Sequence, residues 1–165
     1  MNVVIVGCGR VGSVLAELFD AGGHHVVIVD TQTRAFDRLP ATFGGEAVRG
    51  NGTDEDVLRR AGAEGADLFL ALTEGDNRNV MATQVALEHL GARQVIAKVN
   101  DPVRAEAYAQ LGIPTLCRTN VLVDSVLAFV GQPITGKPAI LAPVGQHPGP
   151  DAPHHAIAPA TASEG

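Results

Sequence analysis

The chain is poor in aromatic residues, with no tryptophan, one tyrosine and five phenylalanines in 165 residues. Basic residues are also in short supply. Twelve Lys and Arg face eighteen Asp and Glu, a formal net charge of −6, and this balance excludes the basic stripe of a nucleic-acid-binding surface. There are only two cysteines, Cys8 and Cys117, and they form no C-x-x-C or other ligand spacing, so a zinc site has no support. Two free thiols in a reducing compartment is the simpler reading. No apolar run approaches the ~20 residues needed to span a bilayer, and the apolar start over residues 1–6 is short and has no basic leader. What remains is the ordinary composition of an α/β domain, 45% hydrophobic and rich in glycine, at a length of about one domain.

The most informative stretch is Val3-Val4-Ile5-Val6-Gly7-Cys8-Gly9-Arg10-Val11-Gly12. An apolar strand runs into three glycines spaced G-x-G-x-x-G, and a helical pattern opens at once. Val11, Val14, Leu15, Leu18 and Phe19 are expected on its inner face. The first glycine permits a sharp turn out of the strand. The second lets backbone approach a phosphate, and the third lets the helix lie close to the sheet. Amides at such a helix start carry partial positive charge and attract an anion. A second strand, Val26-Val27-Ile28-Val29, ends in Asp30, a carboxylate placed to hold a ribose diol.

The alternation continues. A weak third strand at residues 46–49 leads to a helix over 54–61, with Thr53 expected as its N-cap and three acids in its first turn. A continuous apolar strand over 67–72 precedes a helix over 77–90 that should bury Val80, Met81, Val85 and Leu87. A strand over 94–99, a helix over 102–111 opened by Pro102, and a short strand over 115–117 follow. Strands alternating with helices stack by right-handed crossovers into one parallel sheet. The expected fold is an α/β Rossmann-type doubly wound sheet of six strands in the order 3-2-1-4-5-6. The last helix, about 119–130, is apolar around most of its circumference, so it should pack on more than one side, as a crossover or dimer helix.

After Gly131 the character changes. Residues 132–165 hold seven of the ten prolines and few charges, which points to an extended or disordered tail, with no folded second domain expected in it. Within it Ile134 and Ile140-Leu141 are candidates for a short strand or docking segment. The expected organisation is thus a nucleotide-binding domain over 1–131 and a Pro-rich tail over 132–165.

A nucleotide in this fold lies across the C-terminal ends of the first and fourth strands. The expected contacts are Gly7, Cys8, Gly9, Arg10, Val11 and Gly12 at the phosphates, with the Arg10 guanidinium forking onto phosphate oxygens. Asp30 would accept from the ribose hydroxyls and Asn51 would offer its amide to the adenine edge. Thr73, Glu74 and Lys98 would border the far half. Asp30 favours NAD(H) over NADP, and ATP/ADP remains open. No Tyr-x-x-x-Lys or Ser/His/Asp constellation accompanies the site, and no substrate domain is evident. A nucleotide sensor is favoured over the alternative, a small NAD-dependent oxidoreductase, and no catalytic or metal-binding residue is assigned.

The combination of the glycine turn and Asp30 with Gly50-Asn51-Gly52-Thr53-Asp54-Glu55-Asp56-Val57-Leu58, Gly75-Asp76-Asn77-Arg78-Asn79, Ile96-Ala97-Lys98-Val99 and Asp101-Pro102 resembles the N-terminal, NAD-binding domain of Trk/Ktr-type potassium-uptake regulators, the RCK N-terminal or TrkA-N domain. The resemblance spans roughly residues 1–130. It implies a cytoplasmic subunit at the inner face of the plasma membrane that binds NAD(H) or ATP/ADP and gates a membrane potassium transporter or channel. It further implies a homodimer or higher oligomer in which the last helix crosses to a neighbour, and pairing with a related regulatory subunit.

Overall fold

Strands rich in Val and Ile, each ended by glycine or a polar turn, set the architecture. The computed structural model of the protein describes residues 1–142. Its elements are β1 (Asn2–Val6), α1 (Arg10–Ala21), β2 (His25–Asp30), a 3-10 helix (Thr33–Arg38), β3 (Glu46–Arg49) and α2 (Glu55–Arg60). They continue with β4 (Leu68–Ala71), α3 (Asp76–Gln84) extended by a π-helical turn (Val85–His89), β5 (Val95–Val99) and α4 (Pro102–Gln110). The last are β6 (Thr115–Cys117), α5 (Arg118–Phe129) and β7 (Ile140–Leu141).

The strand order is β3-β2-β1-β4-β5-β6-β7. The first six pair in parallel, with Val3 to Val6 matched to Val26 to Val29 on one side and to Leu68 to Ala71 on the other. The sheet therefore has seven strands rather than six. Ile140-Leu141 returns as an antiparallel edge strand, Leu116 opposite Ile140 and Thr115 opposite Leu141. An antiparallel neighbour needs no crossover helix, so two apolar residues at the right distance suffice. The loop before it is anchored by Asp124, whose Oδ1 accepts from the Thr135 amide at 2.8 Å and the Thr135 hydroxyl at 2.7 Å. The Lys137–Glu106 ion pair at 2.8 Å ties it to α4. The rest of the expected tail lies outside the described residues.

The two-residue period of the strands divides the core into two layers. Val4, Val6, Val27, Val29 and Phe69 pack against Leu58, Ala82 and Ala86. Val3, Ile5, Val26, Ile28 and Leu70 pack on the other face against Ala16 and the partly buried Leu15 and Phe19. Each fully buried Val or Ile contributes about 1.5–3 kcal/mol relative to exposure, which makes β1 and β2 the centre of stability.

Three local expectations change. Helix α1 turns Gly12, Ser13 and Ala16 inward, while Val11, Val14 and Leu18 stay more than half exposed. The cause is close approach: a Cβ at Gly12 would sit 2.0 Å from the Gly7 carbonyl oxygen, so the small-residue stripe must face the sheet. Helix α2 is capped by Asp54, whose Oδ1 accepts from the Asp56 and Val57 amides at 2.9 and 3.2 Å. Thr53 instead donates its hydroxyl to Asn51 Oδ1. Met81 faces outward on α3. Helix α5 differs most from a packed helix, because Asn120 is its only buried residue and Leu122, Val126 and Phe129 are exposed. Among the described residues no helix is long and apolar enough to cross a membrane.

Candidate functional site

The turn out of β1 is built as its glycines require. Gly7 has φ +106°, a conformation that L side chains rarely adopt, and a Cβ there would press on the Thr73 backbone at 3.0 Å. Its amide donates to the Val29 carbonyl at 2.7 Å, which aligns the turn with the end of β2. Gly9 has no other group within 4 Å of the place its Cβ would take, so the approach to its backbone is open. Gly9 also N-caps α1 without a side chain to satisfy the first amides, leaving donors and a positive helix end at the mouth of the turn.

Asp30 is held rigidly beside this turn. Its Oδ2 accepts from the Cys8 amide at 2.9 Å and its Oδ1 from the Gln32 amide at 2.9 Å. A carboxylate oxygen can accept twice, so each retains capacity for a hydroxyl. Cys8 is buried, and burial, followed by the nearby Asp30 carboxylate, pushes its thiol up from the usual range. The protonated Sγ donates to the Ala35 carbonyl at 3.2 Å. It is a structural thiol and a poor nucleophile.

These groups border a cavity of about 280 Å³ at the C-terminal ends of β1, β2, β3 and β4. Gly7, Cys8, Gly9, Asp30, Asn51, Thr73 and Glu74, all expected from the sequence, line it together. Gln32, Arg38 and Arg78 line it too. Arg78 stands in the first turn of α3, inside the Gly75-to-Asn79 run that the sequence already singled out. Arg38 ends the 3-10 helix, which has no apolar period to announce it. The signal available for both was position alone, a basic residue soon after a strand's C-terminal end.

Four expected residues stand elsewhere. Arg10 and Val11 are exposed on the first turn of α1 and do not border the cavity, because they project from the outer side of the helix. Gly12 lies beneath the turn against Gly7, a packing position. Lys98 is 6% exposed within β5 and absent from the lining. Asn51 is in the lining, but its Oδ1 is committed to the Thr53 amide at 3.2 Å and hydroxyl at 3.0 Å, leaving only its Nδ2 to offer.

A residue with no expected role organises the far wall. Asn79 is fully buried. Its Oδ1 accepts from the Thr73 amide at 2.9 Å and hydroxyl at 2.6 Å, and its Nδ2 donates to the carbonyls of Thr73 at 3.0 Å and Lys98 at 2.8 Å. Every hydrogen-bonding capacity of the carboxamide is used, so it clamps the end of β4 to β5. Next to it, Asp76 Oδ1 accepts from the Asn100 amide at 3.1 Å and Nδ2 at 2.8 Å. The Thr119 hydroxyl donates to the Asn100 carbonyl at 2.5 Å.

Chemically the cavity offers backbone donors and two guanidinium groups for an anion, and a fixed carboxylate for a diol. Comparison with known proteins identifies the family. The family model described as TrkA-N domain matches residues 3–119. The Trk system potassium uptake protein TrkA of Streptomyces coelicolor is 46% identical over 127 residues, covering 77% of this chain and 57% of that protein. Among solved structures, the TrkA-N domain of the inner membrane protein ybaL from Escherichia coli superposes with a TM-score of 0.69 at 22% identity, over 78% of this chain and 96% of that one. The Kef CTD of Shewanella denitrificans in its AMP-bound form gives a TM-score of 0.61 at 25% identity, over 81% and 84%. The chain spans about half the length of the curated relatives it matches. By the match over residues 3–119 and the identity to the Streptomyces relative, the chain belongs to the TrkA-N domain family.

Proposed function

We propose that this chain is a nucleotide-binding regulatory module of a potassium uptake system, acting on a membrane transporter or channel from the cytoplasmic face of the membrane. The observation that carries the reading is Asp30, clamped by the Cys8 and Gln32 amides at the end of β2 and facing the same cavity as the glycine turn. Ribose hydroxyls on Asp30 and phosphates on the turn amides are the two halves of one adenine-nucleotide contact. NAD(H), ATP and ADP all carry that unit. Asn51 Nδ2 is left for the base, and Arg38 and Arg78 for the phosphates.

The module works by binding rather than by catalysis. A nucleotide shifts its conformation or assembly only so far as it binds two states with different affinity. The state that changes is a homodimer or higher oligomer, in which the exposed apolar face of α5 is covered by a neighbour, either a second copy or a related regulatory subunit. Residues 1–131 form the binding module, and 132–165 form a Pro-rich extension of it.

A thermal-shift panel of NAD, NADH, NADP, ATP and ADP on the full chain tests the site. Binding at roughly one hundred times Kd adds about 2.7 kcal/mol, which is a rise of several degrees in Tm for a chain of this size. If no member of the panel raises Tm, the reading fails.

A further inference from the structure

We propose that the first turn of α3 couples the glycine-turn cavity to α5 by way of Asp76, Asn100 and Thr119, and that α5 has a second seating in which Asn100 Oδ1 and Asn120 Nδ2 gain partners. This extends the reading given above and rests on it, with a nucleotide as the occupant of the cavity.

Four consecutive residues of that turn reach four different places. Arg78 lines the cavity. Asn79 holds the backbone of Thr73, in the cavity wall, and the Lys98 carbonyl of β5. Asn77 Oδ1 accepts from the Arg104 guanidinium of α4. Asp76 Oδ1 accepts from both nitrogens of Asn100, the residue that follows β5. The Asn100 carbonyl in turn accepts from the Thr119 hydroxyl, in the first turn of α5. An anion drawn to Arg78 therefore acts on a turn whose onward hydrogen bonds end on α5, a helix that contributes nothing to the cavity lining.

The far end of this relay is unfinished. Asn100 Oδ1 and Asn120 Nδ2 are both buried and, among the described residues, neither has a hydrogen-bond partner. One is an acceptor and the other a donor, and Asn120 adjoins Thr119, which already touches Asn100. A buried polar group without a partner forfeits the bond it would make to water, so these two groups favour any arrangement that pairs them. Little packing opposes such a shift. Asn120 is the only buried residue of α5, and Leu122, Val126 and Phe129 are exposed. The Asp124 bonds tie the helix to the loop that follows it rather than to the sheet.

A switch needs an element with two arrangements and a ligand that favours one of them. A nucleotide whose phosphates engage Arg78 favours one position of the α3 turn and, through Asp76 and Asn100, one seating of α5. The exposed face of α5, proposed above to meet a neighbour, moves with it.

Hydrogen exchange of the α5 amides in the full 165-residue chain, without and with saturating ADP, tests the relay, because exchange reports the local opening of an element. ADP should change exchange over residues 118–129 about fivefold or more in the parent, the low end of ordinary coupling between sites. Thr119→Val removes the relaying hydroxyl and lies outside the cavity lining. By calorimetry it should bind ADP within about fivefold of the parent, while the ADP effect on α5 falls below about twofold. Asp76→Ala, which cuts the relay at its other end, should lose the effect as well, and Thr119→Ser, which keeps the hydroxyl, should retain it. A parental response of α5 in Thr119→Val or Asp76→Ala, its loss in Thr119→Ser, or ADP binding to the parent with no response in α5, would overturn the coupling and leave the nucleotide site standing. No ADP binding by the parent would overturn both.

Discussion

The Cys8 amide donates to Asp30 Oδ2 at 2.9 Å, so the first residue after the turn glycine and the last residue of β2 form one rigid unit. Two parts of the chain twenty-two residues apart thus share a hydrogen bond at the place where a phosphate and a ribose would meet. The Gln32 amide on Oδ1 completes the clamp. The carboxylate cannot swing away from the turn without giving up both bonds.

Asp30→Ala removes the proposed acceptor of the ribose hydroxyls and the two amide bonds that hold the turn. Hydrogen bonds to a charged group contribute about 1.5–3 kcal/mol each, so ADP affinity should fall at least tenfold. Calorimetry on the variant, with circular dichroism to verify folding, provides the check. Unchanged affinity would remove Asp30 from the site.

Arg78→Ala should weaken ADP more than adenosine. Arg78 borders the cavity, and a guanidinium placed on a nucleotide acts on the anion rather than on the base or sugar. Equal losses for the two ligands would show that the side chain shapes the wall without touching phosphate.

Gly12→Ala tests the close approach of α1. The new methyl would stand 2.0 Å from the Gly7 carbonyl oxygen, a backbone atom that cannot rotate away. Overpacking of this kind costs about 1–3 kcal/mol. Urea unfolding should show the loss, and a variant as stable as the parent would contradict the packing described.

Val126→Asp and Phe129→Glu address the face of α5. Phe129 is 91% exposed in the single chain and Val126 62%. A neighbour covering them would exclude an unpaired carboxylate, so both variants should sediment as smaller species than the parent. A parent that sediments as a monomer at micromolar concentration would dismiss the assembly role of α5.

Acid stability should depend on Asp67 and Glu55. The backbone amide of Asn2, which donates to Asp67 Oδ2 at 2.7 Å, holds this carboxyl below its ordinary range, with Arg93 adding to the effect. For Glu55 the largest influence is the hydrogen bond with His89, followed by that with Arg59. A carboxyl lowered in the folded state stabilises fully above its unfolded pKa of about 4 and stops doing so as pH falls through the folded value. Asp67→Asn should therefore be less stable than the parent near neutrality, with the difference shrinking as pH falls below the ordinary carboxylate range of about 4. A constant difference across pH, measured by urea unfolding, would refute the assignment.

The amino-acid sequence alone determined the parallel sheet, its order from β3 to β6, the glycine turn and the position of Asp30. These depend on short-range pattern: continuous Val and Ile runs, glycines at fixed spacing, and a carboxylate that ends a strand. Even the seventh strand was visible in outline as the isolated Ile140-Leu141 pair, although its antiparallel addition to the sheet was not.

The inner face of α1 and the cavity wall were decided only by the tertiary structure. Hydrophobicity pointed Val11, Val14 and Leu18 inward, but the helix must approach the Gly7 carbonyl, and only the Gly12–Ala16 stripe is narrow enough. Arg38 and Arg78 are forty residues apart and meet at one cavity because β1 lies between β2 and β4. Lys98 looked like a ligand by its place near a strand end, yet burial removes it from the cavity. Asn79 reads in sequence as one polar residue of a helix. Folding places its carboxamide where three groups of Thr73, just past β4, and the Lys98 carbonyl of β5 converge.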